Sequence, residues 1–284
     1  MSASKPTAAA LIVTSNSSRW IEQTLASIIG QRHQPDAIVV IDDNSTDGTR
    51  TIVNEVLGGK GIVYRATSRA EDVTTRIAHN FHQGIRACMD YDIAILGDHD
   101  DLWYPSRIGH QVNQFKMHRE TTMLASDGTL INARNDSLDG TLRETFPVPD
   151  DFNHFSPVDQ LRFTIKHSIA TGGASAVRPS AFADITIPRG WLHDRWWSLV
   201  ATARQGMRID RDLVIDYRIT ETQEVGLRRG RQQDSTARRL RSALTSAPEV
   251  GGKLKDLHGR LRPLATDESC REALNWPGLL QALR

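Results

Sequence analysis

Ile93-Ala94-Ile95-Leu96-Gly97-Asp98-His99-Asp100-Asp101 decides the fold: an uninterrupted apolar run gives way, at a glycine, to a cluster of acids. A short apolar run without polar alternation reads as a strand buried on both faces, as in a parallel sheet covered by its crossover helices. Three segments upstream repeat the form. Residues 8–13 run into Thr14-Ser15-Asn16, residues 37–41 into Asp42-Asp43-Asn44-Ser45-Thr46-Asp47-Gly48, and residues 62–64 make a shorter strand. Between them apolar residues recur at helical spacing. Ile21, Leu25, Ile28 and Ile29 follow Ser17 and Ser18 as N-caps; Ile52, Val53 and Val56 stop at Gly58-Gly59; Ile77, Phe81, Ile85 and Cys88 make one stripe. The alternation predicts a βαβαβαβ unit in an α/β fold. Ligands of such sheets bind outside the carboxyl ends of the strands, where these polar clusters lie.

Beyond Trp103-Tyr104-Pro105 the pattern loosens. A helix is expected over 108–118, a strand near 122–125, a polar irregular stretch over 132–153, ordered segments over 161–168 and 171–177, a helix over 192–203 and a last strand over 213–219. From Gly226 the composition turns Arg-rich, with helical stretches broken at Pro248, Gly251 and Gly252, and no internal repeat is visible.

The 284 residues are 39% hydrophobic and 24% charged, enough to bury a core. Cys88 and Cys270 are too few for a disulfide framework, and no Cys/His spacing suits zinc, which points to a reducing cytoplasm. The apolar run after Met1 is too short for a signal peptide, and none reaches the roughly 20 residues of a membrane span. A net charge of +1 argues against a nucleic-acid partner. That balance hides segregation: residues 1–225 carry 23 Lys and Arg against 28 Asp and Glu, and residues 226–284 carry 12 against 6. Arg228, Arg229, Arg231, Arg238, Arg239 and Arg241 suit an anionic membrane surface or another protein, a solvated linker helix being the alternative.

Asp98, Asp100 and Asp101 repel one another unless a cation lies between them. At a strand end such oxygens suit a hard divalent ion, with positions left open for phosphate. The alternative is a solvated acidic turn with Asp98 or Asp101 capping the next helix. Asp42 and Asp43 can accept from a ribose hydroxyl or a base N–H, while one of Ser45, Thr46 and Asp47 caps the helix behind them. The glycine pattern of a dinucleotide site and the Gly-Lys-Ser/Thr of a phosphate loop are both absent. In His193-Asp194-Arg195-Trp196-Trp197, Asp194 reads either as the N-cap of an apolar helix, with Trp191, Trp196 and Trp197 in the core, or as a general base beside a sugar-sized apolar wall.

Taken in order, these clusters resemble the inverting glycosyltransferase family 2, of the GT-A fold. Thr14-Ser15-Asn16 is similar to the family's first-strand signature, residues 40–49 to its nucleotide-binding segment, and residues 96–103 to its DxD metal motif in the form common among rhamnosyltransferase-like members. His193-Asp194 matches the place of the catalytic base, and the likeness covers roughly residues 8–226. It implies a single GT-A domain over 1–226, a Rossmann-like mixed sheet flanked by helices, with a nucleotide-sugar half to about 103, an acceptor half over 104–226 and a basic, mostly helical extension over 227–284.

The resemblance further implies that Thr14, Asn16, Asp42 and Asp43 bind the nucleoside, Asp43 reading the base. Asp98 would touch the ribose or the metal, and Asp100 and Asp101 would hold Mg2+ or Mn2+ on the diphosphate. Gly172 and Gly173 would lie under donor sugar and acceptor, where absent side chains permit close approach, with His193 and Trp103 beside them. Asp194 would deprotonate the acceptor hydroxyl as it attacks the anomeric carbon opposite the nucleotide, giving inversion. The implied donor is a dTDP- or UDP-linked sugar, rhamnose first, and the implied acceptor a hydroxyl of a polysaccharide, a lipid-linked glycan or a small molecule.

Tyr217-Arg218-Ile219-Thr220 departs from the family, many of whose members read Tyr-Arg-x-His with the histidine completing the metal or diphosphate site. Thr220 cannot replace an imidazole; His99, His167 or His193 would have to compensate, with Arg218 taking phosphate charge. Residues 65–78 are looser than the family's Gly-rich segment, which leaves Arg69 and Arg76 either as nucleotide contacts or as solvated side chains. Thr220 motivates a rival function, a catalytically inactive relative that binds nucleotide or glycan. A nucleotidyltransferase fits worse, since it lacks a Gly-rich nucleotide loop here and gives Asp194 no role.

Overall fold

The computed structural model describes residues 5–220 and 247–282. The apolar runs become β1 (Ala8–Thr14), β2 (Ala37–Asp42), β3 (Ile62–Arg65) and β4 (Ile93–Asp98), parallel and in the order β3-β2-β1-β4. Side chains alternate across a strand, so β1 feeds two apolar clusters. Leu11 and Val13 join Phe81 and Ile85 of α3 (Val73–Ala87), while Ala10 and Ile12 join Ile21 and Leu25 of α1 (Ile21–Ile29) and Val53 of α2 (Thr49–Leu57). Every residue of β1 is buried, and burying each Leu or Ile is worth about 1.5–3 kcal/mol.

The second half holds β5 (Leu102–Trp103), α4 (Arg107–Met117), β6 (Met123–Ile131), β7 (Ser137–Thr141), α5 (Leu142–Thr145), α6 (Pro157–Lys166), β8 (Ser175–Val177), α7 (Pro179–Phe182), α8 (His193–Ala203) and β9 (Met207–Arg218). The sheet continues β4-β8-β6-β9-β5, with β7 paired to β6. It is mixed, as expected: β8 is antiparallel to β4 and β6, β9 is parallel to β6, and β5 is antiparallel to β9. β8 fixes the site, because an antiparallel neighbour of β4 brings the residues just before it to the end of β4 that carries Asp98.

Several local expectations are corrected. Ser17 and Ser18 do not cap α1, whose N-cap is Trp20; the Ser17 hydroxyl pairs with that of Thr14, and the Ser18 N–H donates to Asp47. β9 begins at Met207, ahead of the apolar run, because its polar first half is held by β6 with register shifts near Asp127. The polar stretch 132–153 contains β7 and α5, the latter started by a capping box of Thr141 and Glu144. Gly251 and Gly252 lie inside the helix Ala247–Asp256, with Pro248 in its first turn, where no intrahelical bond is lost.

Past that helix the chain continues through Leu257–Leu261, Glu268–Ala273 and Trp276–Ala282. Leu257, Leu261, Cys270 and Leu274 join the cluster that contains Trp196, Trp197 and Leu199 of α8. The six arginines singled out between residues 228 and 241 lie outside the described residues. Among the described residues, no helix is long and apolar enough to cross a membrane.

Candidate active site

Register brings three strand ends together: Thr14 pairs with Asp42, and Val13 with Asp98. Beyond them the chain turns away through Asn16 and Asn44, both left-handed at φ 44° and 54°, a conformation asparagine tolerates. The two loops are stitched: Asn16 N–H donates to Ser45 Oγ at 2.9 Å, and Asn16 Oδ1 accepts from Thr46 N–H at 2.9 Å. None of the three candidates is the N-cap of α2, which is Gly48; Asp47, one residue earlier, accepts from Thr49 N–H at 3.0 Å. Although burial pushes the other way, bonds from Thr49 and Ser18 hold its carboxyl well below the usual range. Asp42 is buried, with Arg50 at 3.9 Å. Asp43 accepts from Arg76 Nε at 2.9 Å, so Arg76 is engaged with the proposed base reader rather than solvated.

The acidic loop is crowded with like charge. Burial first, and then the charges of Asp100 and Asp194, push Asp98 up to about 7. Asp101 also rises, through burial and the charges of Asp100 and Asp98. Asp101 Oδ1 accepts from Arg218 N–H at 2.9 Å, whereas its buried Oδ2 has no hydrogen-bond partner among the described residues. Beneath this loop lies Arg107, fully buried, its Nη2 donating to Leu96 O at 2.7 Å and its guanidinium 3.9 Å from the centre of the Trp103 ring. Arg107 opposes both upward shifts. Trp103 is itself buried in the wall behind the acids. Arg218 is a strut: its Nε donates to Asp100 O at 2.7 Å, its Nη1 to Asn132 O and Asn135 Oδ1, and its guanidinium lies over Trp20.

The 3-10 turn Gly172–Ala174 leads into β8 and joins the acids to Asp194. A Cβ on Gly173 would fall 2.5 Å from Asp101 Oδ2 and 2.9 Å from Asp98 Oδ2. One residue earlier, Gly172 N–H donates to Asp194 Oδ2 at 3.1 Å, and Arg195 N–H donates to Asp194 Oδ1 at 2.6 Å. Burial drives the Asp194 pKa up to about 6 against those two donors. Asp194 is not an N-cap: that position is Leu192, and Asp194 sits in the first turn, where the helix dipole favours negative charge. His193 lies under Gly172, whose Cβ would come within 2.5 Å of its Nε2, and stacks on Phe81 at 3.6 Å; burial draws its pKa down to about 3, so the ring is neutral.

Arg195 anchors this corner. Its Nη1 donates to Thr164 O and, at 2.8 Å, to His167 O, and its Nη2 to Ile165 O at 2.7 Å, capping the carbonyls that end α6. Neither Arg107 nor Arg195 stands out in the sequence as a functional residue. For Arg195 a signal existed: it shares a helical face with Ser198, Leu199 and Thr202, all buried.

A second cluster sits apart in sequence from the acidic loop. His110 Nε2 lies 2.6 Å from Asp210 Oδ2 and 3.0 Å from Asp212 Oδ2, and ligand atoms of all three lie within 4.8 Å of one another. Ser126 Oγ also donates to Asp210, and the bond to Asp210 raises the His110 pKa, the signature of an ion pair.

Comparison with known proteins agrees with this architecture. The family model of glycosyl transferase family 2 matches residues 9–186. A dTDP-rhamnosyl transferase of Shigella flexneri, RfbG, is 31% identical over 105 residues, 36% of each chain. The curated relatives are matched over only 36% to 65% of their own lengths. Among solved structures, Staphylococcus aureus TarS with UDP-GlcNAc superposes with a TM-score of 0.59 at 15% identity, covering 96% of this chain and 71% of TarS. The mannosyltransferase PcManGT of Pyrobaculum calidifontis, with GDP-Man and Mn2+, gives 0.55 at 18%, covering 99% and 75%. These likenesses carry the fold, and the family match covers more than half of the sequence: the chain belongs to glycosyl transferase family 2.

Proposed function

We propose that the chain is a metal-dependent, inverting glycosyltransferase that moves a sugar from a nucleoside diphosphate to a hydroxyl acceptor. The observation that carries the reading is the two-residue span between base and acids, Gly172 on Asp194 and Gly173 against Asp98 and Asp101. Displacement at an anomeric carbon needs a base on one side and charge stabilisation for the leaving group on the other. The acceptor hydroxyl passes its proton to the Asp194 carboxylate while its oxygen bonds the anomeric carbon. The bond from that carbon to the diphosphate oxygen breaks, and the nucleoside diphosphate leaves with the electron pair. Thr14, Asn16, Asp42 and Asp43 bind the nucleoside, with Asp98 at the ribose or metal, and Gly172 and Gly173 lie under the sugars. His193 and Trp103 act from behind that floor.

The all-oxygen acids, crowded and with Asp101 Oδ2 unpartnered, fit a hard divalent cation. Held by Asp100 and Asp101, Mg2+ or Mn2+ would supply neutralising charge for the diphosphate; Mn2+ in the mannosyltransferase supports this. The likeness to RfbG favours dTDP-rhamnose, and UDP-GlcNAc in TarS supports a UDP sugar. The acceptor is a glycan, lipid-linked or small-molecule hydroxyl, met in the cytoplasm, with the basic segment beyond Gly226 appended to the catalytic domain 1–226 and contacting an anionic membrane face.

A thermal-shift screen of dTDP-, UDP- and GDP-sugars with Mn2+ identifies the donor, since a ligand that binds only the folded state raises the melting temperature. The true donor both raises it and is turned over. Stabilisation by a donor with neither transfer nor hydrolysis across the panel, with Mg2+ or Mn2+, would instead establish the inactive binding protein.

A further inference from the structure

The helix carrying Asp194 is held at both ends by the C-terminal segment. At its start, Trp191 donates its indole N–H to Asp256 Oδ2 at 2.9 Å, and Lys253 Nζ lies 5.7 Å from the ring centre. At its end, Thr266 N–H donates to Ala203 O at 3.0 Å. Trp191 is only 6% exposed, so its N–H has little water to turn to if Asp256 is lost. A buried donor left unsatisfied makes its surroundings rearrange. Those surroundings are the three residues leading to Asp194, whose carboxylate is aimed by single bonds from Gly172 and Arg195.

We propose that Asp256 is a positioning residue for the reaction: through Trp191 it sets the entry to α8 and hence the direction of the Asp194 carboxylate. The inference rests on Asp194 being the base. Among the described residues Asp256 bonds Trp191 and pairs with Arg260 at 3.2 Å, neither of which lies in the nucleotide loops, so its loss should affect turnover and not donor binding.

Four full-length variants test it. Asp256→Asn keeps an acceptor oxygen for the indole, Asp256→Ala removes it, Trp191→Phe removes the donor while keeping a ring, and Asp256→Ala/Trp191→Phe removes both. D256A and W191F should each lower kcat for transfer about tenfold, within the roughly 100-fold that an ångström of misplacement costs, at unchanged donor Kd. D256N should stay within about twofold of the natural protein, and the double variant should be no worse than either single, as for one shared interaction. Should D256A fail to fold, W191F and D256N carry the comparison. Natural kcat in W191F, equal losses in D256N and D256A, or a parallel loss of donor affinity would each overturn the proposal. Asp194→Asn separates the two layers: turnover retained in D194N defeats the base assignment itself, whereas an inactive D194N beside normal D256A and W191F defeats the positioning role alone.

Discussion

Gly173→Ala is expected to cut transfer about 100-fold or more, the scale on which an ångström of misplacement at reacting groups is felt. The added Cβ would stand 2.5 Å from Asp101 Oδ2 and 2.9 Å from Asp98 Oδ2, and neither carboxylate is the far end of a long flexible side chain. Asp101 cannot retreat without losing its bond from Arg218 N–H, because it is fully buried. The overpacking should cost about 1–3 kcal/mol of stability, small enough for the sheet to form. A folded protein by circular dichroism with weakened Mn2+ binding and transfer near background is the anticipated result. Full activity would show that the acids act elsewhere than beside Gly173.

Asp194→Asn should lower kcat about 100- to 10,000-fold, the usual worth of a general base, while donor binding is unchanged. The amide oxygen can still accept from one of Gly172 and Arg195, the amide nitrogen accepts from neither, and the amide takes no proton. In the natural protein the base must be ionised, so with its pKa near 6 the kcat/KM profile should fall about tenfold per pH unit on the acid side of 6. The stability sign is opposite. A carboxyl whose pKa is raised on folding contributes stability at low pH and loses it as pH rises through the folded value. At pH 7.5 ionised Asp194 is therefore a cost, which offsets the backbone donor that the amide leaves without an acceptor, and D194N should melt close to the natural protein. An alkaline-only loss of activity, or a D194N that melts well below it, would contradict this account of the site.

The parallel half of the fold was legible because buried strands are continuous apolar runs, and β1, β2 and β4 end within a residue of where those runs meet polar loops. Thr14, Asp42 and Asp98 followed, since strand ends in such a sheet share one edge. The second half of the sheet was less legible. The first half of β9 carries Arg208, Asp210, Arg211 and Asp212, and its strand character comes from pairing with β6 rather than from its own pattern. Gly251 and Gly252 read as breaks because helix propensity penalises glycine, yet the helix lies against a chain whose Leu257 and Leu261 enter the core. Arg107 and Arg195 stayed hidden, and the structural part of Arg218 with them, for another reason. An arginine spent on buried carbonyls has the same letter as one in water, and only the neighbours supplied by the fold tell them apart. Arg218 in particular holds the acidic loop through its Nε and Nη1.

In the proposed reaction displacement is direct, with Asp194 on the face opposite the leaving diphosphate. The anomeric configuration of the first product, read by NMR from a donor of known anomer before any equilibration, decides it. A single displacement gives the configuration opposite to that of the donor; a product that keeps the donor's configuration would contradict it.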